Sequence, residues 1–457
     1  MAERIDPRIL KGFRDFLPEE ETRRNDLTDA LTAEFRRHGF VPIDTPVLEY
    51  TEVLLGKGGG ETDKQIYRFT DNGGRDVSMR FDLTVPFARY MAQHKNELYL
   101  PFKRYHIAKV FRGENTQRGR YREFTQCDFD IVGTDTASAD FEILLLIVRS
   151  METLGLEAFT VHLSHRGVFN RFLAYLGAAE HSVEILRTVD KMRKIGPEKT
   201  KAELTTLVRE TDAEKILSYI RSEDSTEATL AKMEELAGGP AEDTERLRRI
   251  LSWAAETEIS PHVALDPSIT RGLDYYTGCV YETFLDEIEG IGSVCSGGRY
   301  NDLASLYTKE QIPGVGASVG LDRLVAALEE LGRSRGEGGT LDAVVLNLDD
   351  GLTGYYHHVA DRLRAAGLSA EVYPEARKLG AQFKFAEQKG AAVGIICGPD
   401  ERAADVVNVR NLRTRESTDG LAVAEAVSKA GEIVQSLRSG AATTDESAGR
   451  GTPHATG

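Results

Sequence analysis

A chain of 457 residues exceeds the roughly 100 to 200 residues of one domain and predicts about three. Its composition, 41% hydrophobic and 28% charged with 43 Gly and 14 Pro, excludes collagen-like, wholly disordered and disulfide-scaffold classes. The net charge of −16 argues against non-specific wrapping of nucleic acid, yet leaves local basic patches open. The longest apolar stretches, such as 391–396, fall far short of the ~18 residues of a membrane helix. The N-terminus is charged from its third residue and lacks an apolar run, so a cytoplasmic protein with no membrane partner is expected. Cys127, Cys279, Cys295 and Cys397 fit neither a C-x-x-C pair nor a zinc spacing; they read as buried thiols, and no metal site is expected.

Residues 1–166 alternate with period two in several places and mix strands with a few helices. Gly56-Lys-Gly-Gly-Gly60 lacks the Ser or Thr of a phosphate loop and reads as a lid or turn. Arg80-Phe-Asp-Leu-Thr-Val-Pro86 alternates, which puts Arg80, Asp82 and Thr84 on one face of a strand. From 103 to 122, seven Lys or Arg stand against one Glu, a pattern whose commonest fate is a solvated face. Its internal spacing points elsewhere. Residues 103–112 predict a strand, 113–119 a loop with two glycines and 120–132 a returning strand. On the second strand Arg120, Arg122, Phe124, Gln126, Asp128 and Asp130 share one face, and Tyr121, Thr125, Cys127, Phe129 and Ile131 the other. The apolar face covers a core; Arg112 and Glu114 join the polar one at matching parity. Guanidinium groups beside a ring and carboxylates suit a nucleotide.

Between 167 and 256 apolar residues fall at helical spacing, as in Leu230, Met233, Leu236 and Leu247, Ile250, Leu251, Ala254, which predicts a helical insertion. It separates 1–166 from 257–331, the two parts of one antiparallel α+β domain. In the second part Arg271-Gly-Leu-Asp-Tyr-Tyr-Thr-Gly278 leads into a strand over 279–285, bringing Arg271, Tyr275 and Tyr276 together. Ser296-Gly-Gly-Arg-Tyr300 reads as a glycine-supported turn. Residues 314–324 read as a small-residue strand running into a helix, with Arg323 in its first turn, where the helix dipole disfavours a cation unless an anion is bound. A hydrophilic joint at 332–340 precedes a small α/β domain at 341–437, with apolar runs at 342–348, 369–373, 391–397 and 406–412. Residues 438–457 contain no Leu, Ile, Val, Met, Phe, Tyr or Trp and predict a disordered tail.

Over 8–437 the chain resembles the histidyl-tRNA synthetases, which are class II aminoacyl-tRNA synthetases. The resemblance rests on Gly39-Phe40 with Ile43-Asp-Thr-Pro46, on Phe111-Arg112 through Phe124, and on 314–324, the three class motifs in order. Arg271-Gly-Leu-Asp-Tyr-Tyr-Thr-Gly278 and Ser296-Gly-Gly-Arg-Tyr300 are similar to the two histidine-specific signatures, although Asn301 stands where the family often has Asp. Asp130 and the Arg80-Phe-Asp-Leu-Thr84 form each carry a carboxylate one methylene shorter than in many bacterial relatives.

The resemblance implies a class II antiparallel sheet with a C-terminal α/β anticodon-binding domain. It implies activation of histidine by ATP and transfer to the 3′ end of histidine tRNA. Arg271 and Arg112 would be catalytic; Arg112, Glu114, Phe124, Arg271 and Arg323 would bind ATP, with Mg²⁺ on its phosphates. Asp82, Thr84, Arg120, Gln126, Asp130, Tyr275 and Tyr276 would bind histidine, and Gln117 and Arg122 the tRNA. A homodimer is implied as well. The alternative is a synthetase-like regulatory subunit of ATP phosphoribosyltransferase; the signature at 271–278 and the C-terminal domain count against it.

Overall fold

The computed structural model describes residues 5–56, 62–269, 275–333 and 341–448. The chain divides into two compact units, Met1–Ser334 and Arg335–Gly457. In the first, the strands follow as β1 (Val41–Pro42), β2 (Leu48–Tyr50), β3 (Arg68–Thr70), β4 (Asp76–Met79), β5 (Phe102–Phe111) and β6 (Glu123–Val132). They continue with β7 (Phe159–His165), β8 (Val263–Leu265), β9 (Cys279–Leu285), β10 (Cys295–Arg299) and β11 (Gly314–Gly320).

Eight of these form one sheet in the order β1-β5-β6-β11-β10-β9-β7-β8, while β2-β4-β3 form a small separate sheet. Its six inner strands are antiparallel, as the alternation predicts, but the edge pairs β1–β5 and β7–β8 are parallel. Parallel neighbours require long crossovers, and the segments between β1 and β5 and between β7 and β8 supply them.

Strand β6 pairs with β5 over ten residue pairs, from Phe102 opposite Val132 to Phe111 opposite Glu123. Cys127, Phe129 and Ile131 on its apolar face are buried against the helix Ala137–Thr153, which contributes Ile143, Leu144, Ile147 and Met151. Each such side chain removed from water contributes about 1.5–3 kcal/mol. The opposite face of β6 is thereby left to line the site.

The helical stretch begins at Arg166–Tyr175 and ends at Glu242–Glu256. Phe172 and Tyr219 stack at 4.5 Å and, with Met233, Leu247 and Ile250, join the same apolar cluster as Phe129 and Ile147. The insertion is therefore continuous with the core beneath the large sheet.

The second unit holds β12 (Ala343–Val345), β13 (Ala370–Val372), β14 (Val393–Ile396), β15 (Val407–Asn411) and β16 (Ser417–Leu421), in the order β13-β12-β14-β15-β16. β12 runs parallel to β13 and β14, and β15 and β16 return antiparallel. Its core joins Val345, Val393, Ile395 and Val409 to Tyr356 and Leu363 of the helix Thr353–Ala365. The helix Val423–Ala448 runs past Arg438, where composition predicts a disordered tail. An established helix adds residues without a new nucleation cost, and alanines favour its continuation. Residues 449–457 lie outside the described residues.

Candidate active site

Two local outcomes differ from the sequence expectation and shape the site. Strand β4 ends at Met79 and a helix starts at Thr84, so 80–86 is not a strand. The Asp82 carboxylate accepts from Val85 N at 3.1 Å, which ends the extended segment and turns Asp82 inward. Arg80 points away from it, donating to Thr45 O and Lys109 O. Likewise Ser296-Gly-Gly-Arg is no turn but the body of β10, between β9 and β11. A Cβ on Gly297 would stand 2.3 Å from Gly316 O, so only glycine lets these strands close.

Above this floor lies a cavity of about 380 Å³. Asp82, Thr84, Arg112, Glu114, Arg120, Phe124, Gln126, Asp130, Tyr275, Tyr276 and Arg323 all line it. Arg271 lies outside the described residues, as does the 57–60 part of the glycine-rich segment. Gln117 and Arg122 do not line the cavity. Gln117 is exposed at the hairpin tip, paired through its backbone with Arg120, and Arg122 donates to Glu114 O and Lys11 O. The regular strand stops at Glu123, so strict alternation fails beyond it: Tyr121 lines the cavity in place of Arg122.

One end of the cavity is cationic and aromatic. The Arg112 guanidinium lies 5.1 Å from the Phe124 ring centroid and donates to Phe81 O at 2.9 Å. Arg323, in the first turn of the helix Leu321–Glu330, donates to Ser293 O. Burial, then the neighbouring Arg120 and Arg112, lower its pKa to about 10. Like charges at a helix N-terminus form a site that an anion relieves. The adjacent Asp322 is buried and accepts from Arg24 at 2.9 Å and Thr125 N at 2.7 Å, fixing that helix end to β6.

The other end is acidic. Burial pushes Asp82 up to about 6, against the Val85 amide, Arg112 and the Tyr275 hydroxyl, which donates at 3.2 Å. Burial raises Asp128 to about 7, with Arg104 opposing and Asp130 adding. Asp130 is raised by burial too, opposed by Arg104, whose fully buried guanidinium stands 2.8 Å away, and by the Tyr300 hydroxyl, which donates to it. Gln126 donates to Ser318 at 3.0 Å. Three crowded carboxylates are poised for a cationic or hydrogen-bond-donating ligand.

Asp128, Tyr300, Ser318 and Glu282 also line the cavity, and the sequence reading gave none of them a role. Asp128 lies on the polar face of β6 that alternation marks, and Tyr300 closes the segment Ser296-Gly-Gly-Arg-Tyr300. Ser318 and Glu282 come from β11 and β9, neighbours only in the folded sheet.

Residues 12–324 match the family model described as histidyl-tRNA synthetase, and 342–433 the one described as anticodon binding domain. The histidine–tRNA ligase of Treponema denticola is 53% identical over 407 residues, 88% of this chain and 91% of its own. That of Rhodopirellula baltica is 49% identical, covering 91% and 95%. The solved histidyl-tRNA synthetase of Nostoc sp. PCC 7120 superposes with a TM-score of 0.83 at 31% identity, covering 94% of this chain and 100% of its own.

Proposed function

The chain belongs to the histidyl-tRNA synthetase family, and from that premise we propose how its residues divide the work. It is an enzyme that activates histidine with ATP and transfers it to the 3′ end of histidine tRNA. The regulatory alternative is not favoured, because the matches cover both the catalytic and the anticodon-binding parts. The observation that carries the assignment of roles is the cavity's polarity, arginines and a ring at one end and buried carboxylates at the other.

In the first half-reaction a histidine carboxylate oxygen attacks the α-phosphorus and the bond to pyrophosphate breaks. Positioning and charge neutralisation matter more there than proton transfer. Arg112 holds the α-phosphate and the histidine carboxylate. Phe124 stacks on adenine, Glu114 accepts from its amino group, and Arg323 takes the γ-phosphate and the second ring face. Arg271 supplies positive charge at the α-phosphate, a role resting on its signature alone. Asp82, Thr84 and Gln126 take the ammonium group, with Tyr275 orienting Asp82; Asp130 and Tyr276 take the imidazole, with Arg120 nearby.

Among the described residues no three His, Cys, Asp or Glu gather to hold a metal. Glu114 and Glu282 offer carboxylates in the cavity, and Mg²⁺ commonly takes one or two of these when phosphates supply the rest. Glu114 and Glu282 would hold a Mg²⁺ that enters with ATP, and the ion would supply charge neutralisation at the phosphates.

Gln117 and Arg122 meet the 5′ end of the tRNA, the helical insertion clamps its acceptor stem, and the second unit reads the anticodon. The protein works as a cytoplasmic homodimer; half-exposed Val47, Leu48 and Tyr50, beside the first class motif, offer an apolar face to a second copy. Among the described residues no helix is long and apolar enough to cross a membrane. ATP–pyrophosphate exchange with each of the twenty amino acids tests the central reading: histidine alone should support it, and exchange with another amino acid or with none overturns it.

A further inference from the structure

The helix Glu242–Glu256 closes the helical insertion, yet it sends one charged side chain into the catalytic core. Arg246, 8% exposed, donates to Asp135 at 2.7 Å and to Asp140 at 2.9 Å. Asp140, fully buried, accepts from Arg299 Nε at 2.7 Å through its other oxygen. Arg299 in turn donates to Thr134 O at 3.2 Å and to the Asn301 side-chain oxygen at 3.0 Å. Asn301 Nδ2 donates back to Asp135 at 2.8 Å.

Two guanidiniums, two carboxylates and one neutral amide thus close a ring, and Tyr300 is the residue between Arg299 and Asn301. Its hydroxyl reaches Asp130 at the acidic end of the cavity. The same ring grips the segment carrying Tyr276. Thr277 N donates to Arg299 O at 2.7 Å, and Asn301 N to Thr277 Oγ1 at 3.2 Å. A Cβ on Gly278 would meet the Arg299 side chain at 2.9 Å, so this approach needs glycine.

We propose that Arg246 is a positioning residue for the histidine end of the cavity: it fixes Asp135 and Asp140, which fix Arg299 and Asn301 on either side of Tyr300. The ring also gives Asn301 a reason. An amide can accept from Arg299 and donate to Asp135, whereas an aspartate would set two carboxylates against each other at that 2.8 Å contact. The insertion is thereby coupled to amino-acid recognition. Among the described residues the nucleotide end, built from Arg112 just after β5, Phe124 on β6 and Arg323 on the helix after β11, makes no hydrogen bond to the ring. This inference rests on the acidic end taking histidine.

The test uses the full-length protein in pyrophosphate exchange, with Arg246→Gln, Arg246→Lys and Asn301→Asp as variants. Arg248→Ala serves as control, because Arg248 sits on the same helix but pairs with Glu234 and Glu245 at the surface. Arg246→Gln should raise the KM for histidine by about tenfold to hundredfold, the equivalent of one hydrogen bond to a charged group lost at the acidic end. KM for ATP and kcat should stay within about threefold of wild type, since uniform binding alone is lost. Arg246→Lys should restore part of the histidine KM, Asn301→Asp should raise it, and Arg248→Ala should leave it unchanged. A histidine KM unmoved in Arg246→Gln, or KM values for ATP and histidine rising together, overturns the proposal. Should Arg246→Gln fail to fold, Asn301→Asp decides on the same readout. Wild-type exchange that ignores histidine would instead sink the reading of the site itself, a distinguishable result.

Discussion

The two ends of the cavity solve opposite problems with opposite means. At the cationic end Arg112 and Arg323 keep part of their hydrogen-bonding capacity on backbone carbonyls, and burial, then repulsion from Arg120 and Arg112, lowers Arg323. A polyanion relieves that repulsion without rearrangement. At the acidic end Asp82, Asp128 and Asp130 are buried, raised, and tied to Arg104, Tyr275 and Tyr300. One end stores unfavourable positive charge and the other pays desolvation for negative charge, so binding at each is driven by what the fold leaves unsatisfied there. Under the proposed assignment of the two ends, selectivity for ATP and for histidine can be changed separately.

The most damaging way to break this division is Arg271→Ala. If Arg271 supplies charge at the α-phosphate as proposed, its removal should cost adenylate formation on the order of 2.7–4 kcal/mol, about 10²–10³ in rate, while equilibrium binding of histidine changes little. Single-turnover adenylate formation beside calorimetric histidine binding checks it; equal loss in both would make Arg271 a binding residue.

A paired substitution sharpens the comparison. Asp82→Asn should weaken histidine by roughly 1.5–3 kcal/mol, the range for a hydrogen bond to a charged group, and spare ATP. Phe124→Ala should do the reverse, raising the KM for ATP by about 1–3 kcal/mol of lost stacking and sparing histidine. Steady-state exchange kinetics would show both variants affecting both substrates if the two ends are not separable.

A smaller effect appears in stability. Asp128 titrates at about 7 in the folded protein against 3.8 for an unperturbed carboxyl. Between those values the folded state binds more protons than the unfolded, so stability contributed by this group falls as pH rises from about 4 to 7 and then levels. Asp128→Asn should therefore raise Tm at pH 8 and leave it nearly unchanged at pH 4. A lower Tm at pH 8 would show that Asp128 is held by attraction to Arg104 more than it is penalised by burial.

The smallest expected effect concerns the second unit. Both ends of the cavity belong to Met1–Ser334, and the remainder has its own core. Ending the chain at Ser334 should leave histidine-dependent exchange largely intact at both ends, although charging of tRNA falls steeply once a linked binding surface is removed. Solution mass and unfolding curves must show a folded product; undiminished tRNA charging by it would remove the anticodon role.

How far these ends were legible differs with their origin in the chain. Phe124, Gln126 and Asp130 were readable because they lie on one strand whose other face, Cys127, Phe129 and Ile131, is apolar. Period two needs no tertiary information. The same rule misassigned Arg80, since the Asp82 carboxylate binds the Val85 amide and starts a helix there. It failed again at Arg122, where the strand had ended.

By itself, then, the sequence determined what local periodicity and short motifs encode: the β5–β6 hairpin, the β11 strand running into its helix, the small α/β unit after the joint, and most of the residues at the cavity. Only the tertiary structure decided which strands became neighbours, and with them Gly297 packed on Gly316, Ser318 opposite Asp128, and the parallel pairs at both sheet edges. It alone joined Arg246 to Asp140 and Arg299, residues 106 and 159 positions from Asp140 in the chain. No short-range pattern records such a contact. Its cause is burial: a carboxylate taken out of water must find its cation wherever the fold brings one.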